Sequence, residues 1–255
     1  PLMPMTAREV VDELVARALE EDLGAEGDIT SELIFTSEDR AVARIRSKAE
    51  GRLSGGELIE PVFARIDSRV SVERHCADGE ELRTGTSIAS ITGPSRALFA
   101  GERTVLNFLQ HLSGIATATS LLVGRIAHTS AVLLDTRKTT PSLRLLEKKA
   151  VRDGGGANHR MGLYDMVLIK DTHIGAAGGI AAALARVREH ILPGGDTKIE
   201  IEVRSFEELV EALAGQPDRI MLDNMTPKEL KACVEYVRSG NIQVELEASG
   251  NVDQH

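Results

Sequence analysis

From Ala131 onward the chain alternates strand-like and helix-like runs, and nothing else in it constrains the fold as strongly. The strand-like runs are AVLLDT, DMVLIKD, KIEIEV, RIMLDN and QVELEAS; between them lie SLRLLEKKAV, GIAAALARVREH, FEELVEALA and PKELKACVEYVR. Strand, helix, strand repeated this way predicts parallel strands joined by crossover helices. Each strand-like run starts apolar and ends polar. The ends carry Arg137 and Lys138, Lys170 and Asp171, Glu202, Asp223 and Asn224, then Glu247 and Ser249. In a parallel α/β barrel all strand C-termini meet on one face, and that face holds the active site. Glu200 and Glu202 share one side of their strand, and Glu202, nearer the C-terminal end, is the stronger candidate.

The stretch from Leu133 to His173 concentrates positive charge. Between Arg137 and Lys170 there are eight Lys or Arg and three acids (Glu147, Asp153, Asp165), a net of +5 in a chain whose formal net charge is −9. A basic island in an acidic chain is suited to a small polyanion. Arg137, Lys138, His159, Arg160 and Lys170 are the candidate anion binders, because forked and point-charge donors suit carboxylates and phosphates. Arg144, Lys148, Lys149 and Arg152 recur at helical spacings and read either as a solvated helix face or as part of the same site. The triple glycine at 154–156 reads either as a helix stop or as bare backbone open to an anion.

Ahead of the alternation, Thr6 with Glu9 makes a capping-box signature for a helix over Ala7–Asp22, and GAEGDITSE reads as loop. Ala41, Ala43 and Ile45 alternate with charged residues as in a half-buried strand. A short helix over ELIEPVFARI and strands at Val70–Val72 and Ser87–Ile91 complete a small α+β domain, residues 1–93, read as a lid or dimerisation domain. Residues 94–130 are a helical connection with an apolar stripe at Leu98, Val105, Leu109 and Leu112, divided at Gly114. Residues 131–255 are the α/β barrel domain.

The acidic balance, the absence of Trp and the 3% aromatic content argue against nucleic acid as a partner. Cys76 and Cys233 form no metal motif and no disulfide framework, which fits a cytoplasmic protein. No secretory signal is visible at the N-terminus, and no apolar run reaches the roughly 18 residues that span a bilayer. Zinc, Walker A, dinucleotide and GxSxG signatures are absent. Anion binders alongside the hard oxygen ligands Glu202, Asp223 and Glu247 give the profile of a site for a polyanion, Mg²⁺ and a sugar, which is that of a phosphoribosyl donor.

With ERTVLNFLQHLSGIAT, DTRKTTPSLR, KAVRDGGGANHRMGLYDMVLIKD, IEIEV, IMLDN and EASG in this order, the chain resembles the quinolinate phosphoribosyltransferase family through most of its length. The resemblance implies a small N-terminal α/β domain, an open or closed α/β barrel and a homodimer. It implies transfer from 5-phosphoribosyl-1-pyrophosphate to quinolinate with decarboxylation, giving nicotinate mononucleotide, pyrophosphate and CO₂ in NAD biosynthesis. It places Arg137, His159, Arg160 and Lys170 on quinolinate, with Thr136 in the same substrate-binding set. Lys138 and Lys170 match residues near the donor and the reacting ring, and Arg103 matches an arginine contributed across the dimer interface. Glu202 and Asp223 match acids that hold the ribose hydroxyls and magnesium; Lys138, Lys170, Glu202 and Asp223 form the catalytic set. Ser249 and Gly250 match a phosphate-binding turn.

Three departures stand out. Ser142 and Thr172 occupy positions where Gly and Asn are usual. After Gly250 the resemblance implies a second Gly and a further βα unit, where this sequence has Asn251 and ends at His255; the last barrel unit is expected to lie outside it. Two other readings of the same residues are a same-fold transferase using nicotinate or another acid, and a non-catalytic phosphosugar-binding protein.

Overall fold

The computed structural model describes residues 6–191 and 196–250. The chain forms two compact units, residues 1–159 and 160–255.

The first unit opens with α1 (Ala7–Leu23), capped as its sequence predicts: Glu9 N donates to Thr6 Oγ1, and the Glu9 carboxylate accepts from Thr6 N at 2.7 Å. Next come α2 (Ile29–Ile34), β1 (Arg40–Arg46), β2 (Gly51–Arg52), α3 (Ile59–Ile66), β3 (Ser71–Arg74), β4 (Glu81–Leu82) and β5 (Ser87–Pro94). Strand β5 lies between β1 and β3 in an antiparallel sheet, and β2 pairs with β4. The apolar positions of β1 (Ala41, Ala43, Ile45) pack against a core of Val15, Leu19, Ile59, Val62, Phe63, Ile91 and Leu109. Helix α2 occupies the stretch read as loop. Its Ile29, Leu33 and Ile34 are exposed, so no buried stripe announces it; Asp28 starts it by accepting from Ser31 N at 3.1 Å.

Helix α4 runs from Ser95 to Ile126 without a break. The expected division at Gly114 does not occur. The buried stripe continues through Leu112, Ala116 and Thr119, and the burial on both sides of one glycine outweighs its helix cost of about 1 kcal/mol.

Helix α5 (Arg144–Asp153) packs on α4 through Leu146, Ala150 and Leu112. Lys149 joins Asp153 (2.8 Å) to Asp78 (2.7 Å), and Ser54 Oγ donates to Asp153 at 2.6 Å. These ties carry the first compact unit past the element-pattern boundaries at 93 and 130, to His159. The expected strand AVLLDT makes only an isolated parallel bridge, Leu134 to Ala157.

The triple glycine is a helix stop. Gly154, Gly155 and Gly156 donate to Ala150, Arg152 and Val151 carbonyls at 3.0, 2.8 and 3.0 Å, which consumes the N–H groups an anion would need. A Cβ on Gly154 would lie 2.6 Å from Thr119 Cβ, so glycine is required where α5 ends against α4.

The second unit is the predicted parallel α/β arrangement: β6 (Val167–Ile169), α6 (Asp171–Ala177), α7 (Ile180–His190), β7 (Ile199–Val203), α8 (Phe206–Ala214), β8 (Arg219–Asp223), α9 (Pro227–Ser239) and β9 (Glu245–Ser249). The strands pair in parallel in the order β6-β7-β8-β9, and among the described residues the sheet does not close. Ile199, Ile201 and Val203 alternate onto one sheet face and pack with Leu184, Leu209, Cys233 and Val237 of the helices. Helix α6 was not legible in the sequence; Gly178 and Gly179, at φ 92° and 126°, end it before α7 begins. The first five residues and the Asn251–His255 segment, where a further βα unit would begin, lie outside the described residues.

Candidate active site

In the second unit the alternation that sends Ile199, Ile201 and Val203 to the helices sends Glu200 and Glu202 to the opposite face. Register then places their neighbours. Glu200 is level with Arg219, Glu202 with Met221, and Asp223 with Ser249. Near the strand starts, Arg219 reaches Glu245 at 2.8 Å and Glu247 at 3.1 Å, and lies 4.0 Å from the fully buried Glu200. Toward the strand ends, Lys170 Nζ lies 3.7 Å from Glu202 Oε1. The sequence did not reveal Arg219, because an arginine at the start of a strand carries no recognisable pattern.

Burial pushes the Glu202 carboxyl above its ordinary pKa. Lys170 pulls it down, and the charges of Asp223, Asp171 and Glu200 push it up again. Glu202 and Asp223 therefore form an acidic locus with more negative charge than Lys170 offsets. A hard divalent cation held by oxygen ligands fits such a donor set. A carboxylate whose folded pKa exceeds its unfolded value contributes stability below the unfolded pKa and loses it as pH rises through the folded one. Ionised Glu202 thus costs stability at neutral pH. Glu202→Gln is expected to melt above the parent protein near about pH 8, with the difference shrinking toward about pH 4. Thermal melts across that range check this, and a lower melting temperature for the variant at the alkaline end would refute it.

At the end of β9, Ser249 O accepts from Asn224 N at 2.8 Å. Asn224 has φ 54° and Gly250 φ 93°, and any side chain at 250 would collide with Asn224. The Ser249-Gly250 turn is thus closed by the residue that follows Asp223. Arg160, also in this unit, is buried and donates to Met166 O at 3.2 Å. Asp165 braces that loop by accepting from Met161 N (2.6 Å) and Gly162 N (3.0 Å).

The first unit carries Arg103, Thr136, Arg137, Lys138 and His159. A buried polar knot holds the last four. Asp135 pairs with Lys148 and also accepts from Asn158 Nδ2 (2.5 Å) and His159 N (2.9 Å), while Lys148 Nζ donates to His159 O at 3.0 Å. Lys148 is only 1% exposed, so it belongs neither to a solvated face nor to an anion site. Thr136 Oγ1 accepts from Lys138 N at 3.0 Å, leaving the Lys138 side chain exposed. Arg137 Nε is buried without a hydrogen-bond partner among the described residues. Ser142 has φ 68°, a left-handed conformation that glycine adopts without strain. Arg103 is exposed on α4.

Strand-end acids beside a lysine on a parallel α/β sheet suit an α/β phosphoribosyl-transfer protein. The chain belongs to the quinolinate phosphoribosyltransferase family. The family's N-terminal domain pattern (Quinolinate phosphoribosyl transferase, N-terminal domain) matches residues 28–113, and its C-terminal domain pattern matches residues 115–255. The chain is 43% identical to the probable nicotinate-nucleotide pyrophosphorylase [carboxylating] of Bacillus subtilis over 91% of this chain and 78% of the relative. It is 40% identical to quinolinate phosphoribosyltransferase [decarboxylating] 2b of Nicotiana tabacum over 94% of this chain and 72% of the relative. The crystal structure of NadC from Streptococcus pyogenes superposes with TM-score 0.91 at 36% identity, covering 99% of this chain and 87% of that one.

Proposed function

We propose that this chain is a quinolinate phosphoribosyltransferase of NAD biosynthesis, with Lys138, Lys170, Glu202 and Asp223 as its catalytic set. The observation that carries the reading is the strand-end group of the second unit, Lys170 3.7 Å from Glu202 on the sheet face that also carries Asp223. The quinolinate nitrogen forms its bond to C1 of the ribose as the bond from C1 to pyrophosphate breaks. The pyridinium so formed accepts the electron pair released when the 2-carboxylate leaves as CO₂, and that ring carbon then takes a proton. Glu202 and Asp223 oppose the positive charge that develops on the ribose ring, and Lys170 beside Glu202 is placed for a substrate carboxylate. Arg137, His159 and Arg160 bind quinolinate, Thr136 lies in the same binding loop, and Ser249-Gly250 forms the phosphate turn. Positioning and charge supply the catalysis, so no nucleophilic side chain is required.

Mg²⁺ held by Glu202 and Asp223 would neutralise the departing pyrophosphate. Release of CO₂ from 2-carboxyl-labelled quinolinate is expected to require 5-phosphoribosyl-1-pyrophosphate and to stop in excess EDTA. Donor-independent release would overturn the reaction, and full turnover in EDTA would overturn the metal.

The working form is a homodimer with Arg103 reaching the partner's site. Arg103 lies one helical turn beyond Phe99, which is 51% exposed, and the nearby α2 exposes Leu33 at 87%. Arg103→Ala is expected to be folded and inactive, and mixing it with inactive Lys138→Ala to recover part of the activity through hybrid dimers. No recovery after verified subunit exchange would count against a shared site. No described helix is long and apolar enough to cross a membrane. Both cysteines are free thiols, which supports a cytoplasmic setting.

A further inference from the structure

Helix α5 turns one face toward the loop that precedes it. Arg144 Nε donates to Thr139 Oγ1 at 3.0 Å, and Arg144 Nη2 to Arg137 O at 3.4 Å. Glu147 Oε2 accepts from Thr140 N at 3.0 Å. Lys148 holds Asp135. Positions 144, 147 and 148 follow the i, i+3, i+4 spacing that brings side chains to one side of a helix. The basic helix of the sequence is therefore a scaffold for residues 135–140.

Glu147 is the unexpected member, an acid 7% exposed on a helix of basic neighbours. Its second oxygen, Oε1, lies 2.8 Å from His111 Nε2 on α4. Burial raises the Glu147 pKa, but hydrogen bonds with Thr140 and His111 outweigh it and hold the carboxyl below its ordinary value. An ionised carboxylate only accepts, so His111 Nε2 carries the proton of this pair. A continuous path thus runs from α4 through α5 to the backbone of the loop bearing Arg137 and Lys138.

We propose that Glu147, oriented by His111, is a positioning residue for phosphoribosyl transfer: by gripping the Thr140 N–H it fixes the loop from which Arg137 and Lys138 reach their substrates. The inference rests on the reading that Arg137 and Lys138 contact those substrates. The Lys138 side chain is exposed, so where its head falls depends on the loop backbone. A displacement of about 1 Å in a positioning element is enough to cost about 10²-fold in rate.

The test compares Glu147→Met, Glu147→Gln, His111→Ala and Lys138→Ala on the whole chain, by steady-state kinetics and by amide exchange at Thr140. Glu147→Met is expected to lose about 10- to 100-fold in kcat and to lose Thr140 protection. Glu147→Gln keeps an acceptor for Thr140 and is expected to recover most of both. His111→Ala removes a side chain that is 45% exposed; it is expected to fold normally and to give an intermediate loss, so it carries the test if Glu147→Met does not fold. Wild-type kcat with Thr140 exchange accelerated overturns the proposal. So does a lost kcat with Thr140 protection intact, because the effect would then not run through the loop. Wild-type turnover by Lys138→Ala would instead overturn the reading on which the proposal rests, with Thr140 protection still reporting the clamp.

Discussion

Lys148→Met is expected to lower stability by about 3–5 kcal/mol, the usual cost of removing one partner from a buried ion pair. Both partners are buried: the Lys148 side chain is 1% exposed and that of Asp135 7%. Methionine fills the aliphatic volume but donates nothing. The Asp135 carboxylate would keep Asn158 Nδ2 and His159 N as donors, yet it would hold a buried charge without its counter-ion. The His159 carbonyl would lose its donor as well. At roughly 2–4 °C per kcal/mol for a unit of this size, the melting temperature should fall by roughly 6–20 °C. Adding Asp135→Asn to Lys148→Met removes the stranded charge, so the pair should couple and the double variant should recover part of the loss. Urea unfolding of Lys148→Met, Asp135→Asn and the double variant, each with a two-state fit, measures the coupling. A Lys148→Met protein within about 1 kcal/mol of the parent, well short of that cost, would show that the pair does not stabilise the fold. Because Asp135 precedes Arg137 and Lys138 and holds the His159 amide, activity should fall together with stability.

Discrimination between quinolinate and nicotinate is the second large effect. Quinolinate presents two adjacent carboxylates and nicotinate one. In the site proposed above, Arg137, His159, Arg160 and Lys170 would together offer more donors than one carboxylate can accept. Arg160 is buried, and Arg137 Nε is buried without a hydrogen-bond partner among the described residues. Nicotinate would leave the buried Arg137 Nε without an anion, at a cost of several kcal/mol. At 1.4 kcal/mol per tenfold, quinolinate should be preferred by roughly 10²- to 10³-fold or more in kcat/KM. Arg160→Ala should raise KM for quinolinate more than KM for 5-phosphoribosyl-1-pyrophosphate. A preference of less than about tenfold, or equal losses for both substrates, would remove this account of selectivity.

The two units differ in how much of them could be read from the chain. Where one side of an element is buried and the other polar, the pattern is written into the sequence, and β1, β7, β8 and α9 fall where the alternation places them. Helix α2 leaves no pattern because its apolar residues are exposed, and α6 because seven residues give too little periodicity to distinguish from a loop. Gly114 does not divide α4, since a glycine breaks a helix only when packing on either side does not outweigh its cost.

The residue types and their order by themselves determined the class of chemistry: anion binders, strand-end acids and a parallel α/β frame. They could not determine what each charge does. Arg144, Lys148 and Lys149 look alike along the chain, yet one braces a loop, one is buried against Asp135 and one joins Asp78 to Asp153. A local pattern carries a residue's helical phase but not the distant carboxylate it meets. Asp78 and Lys149 are 71 positions apart, and only folding sets their distance, their burial and therefore the strength of their pairing.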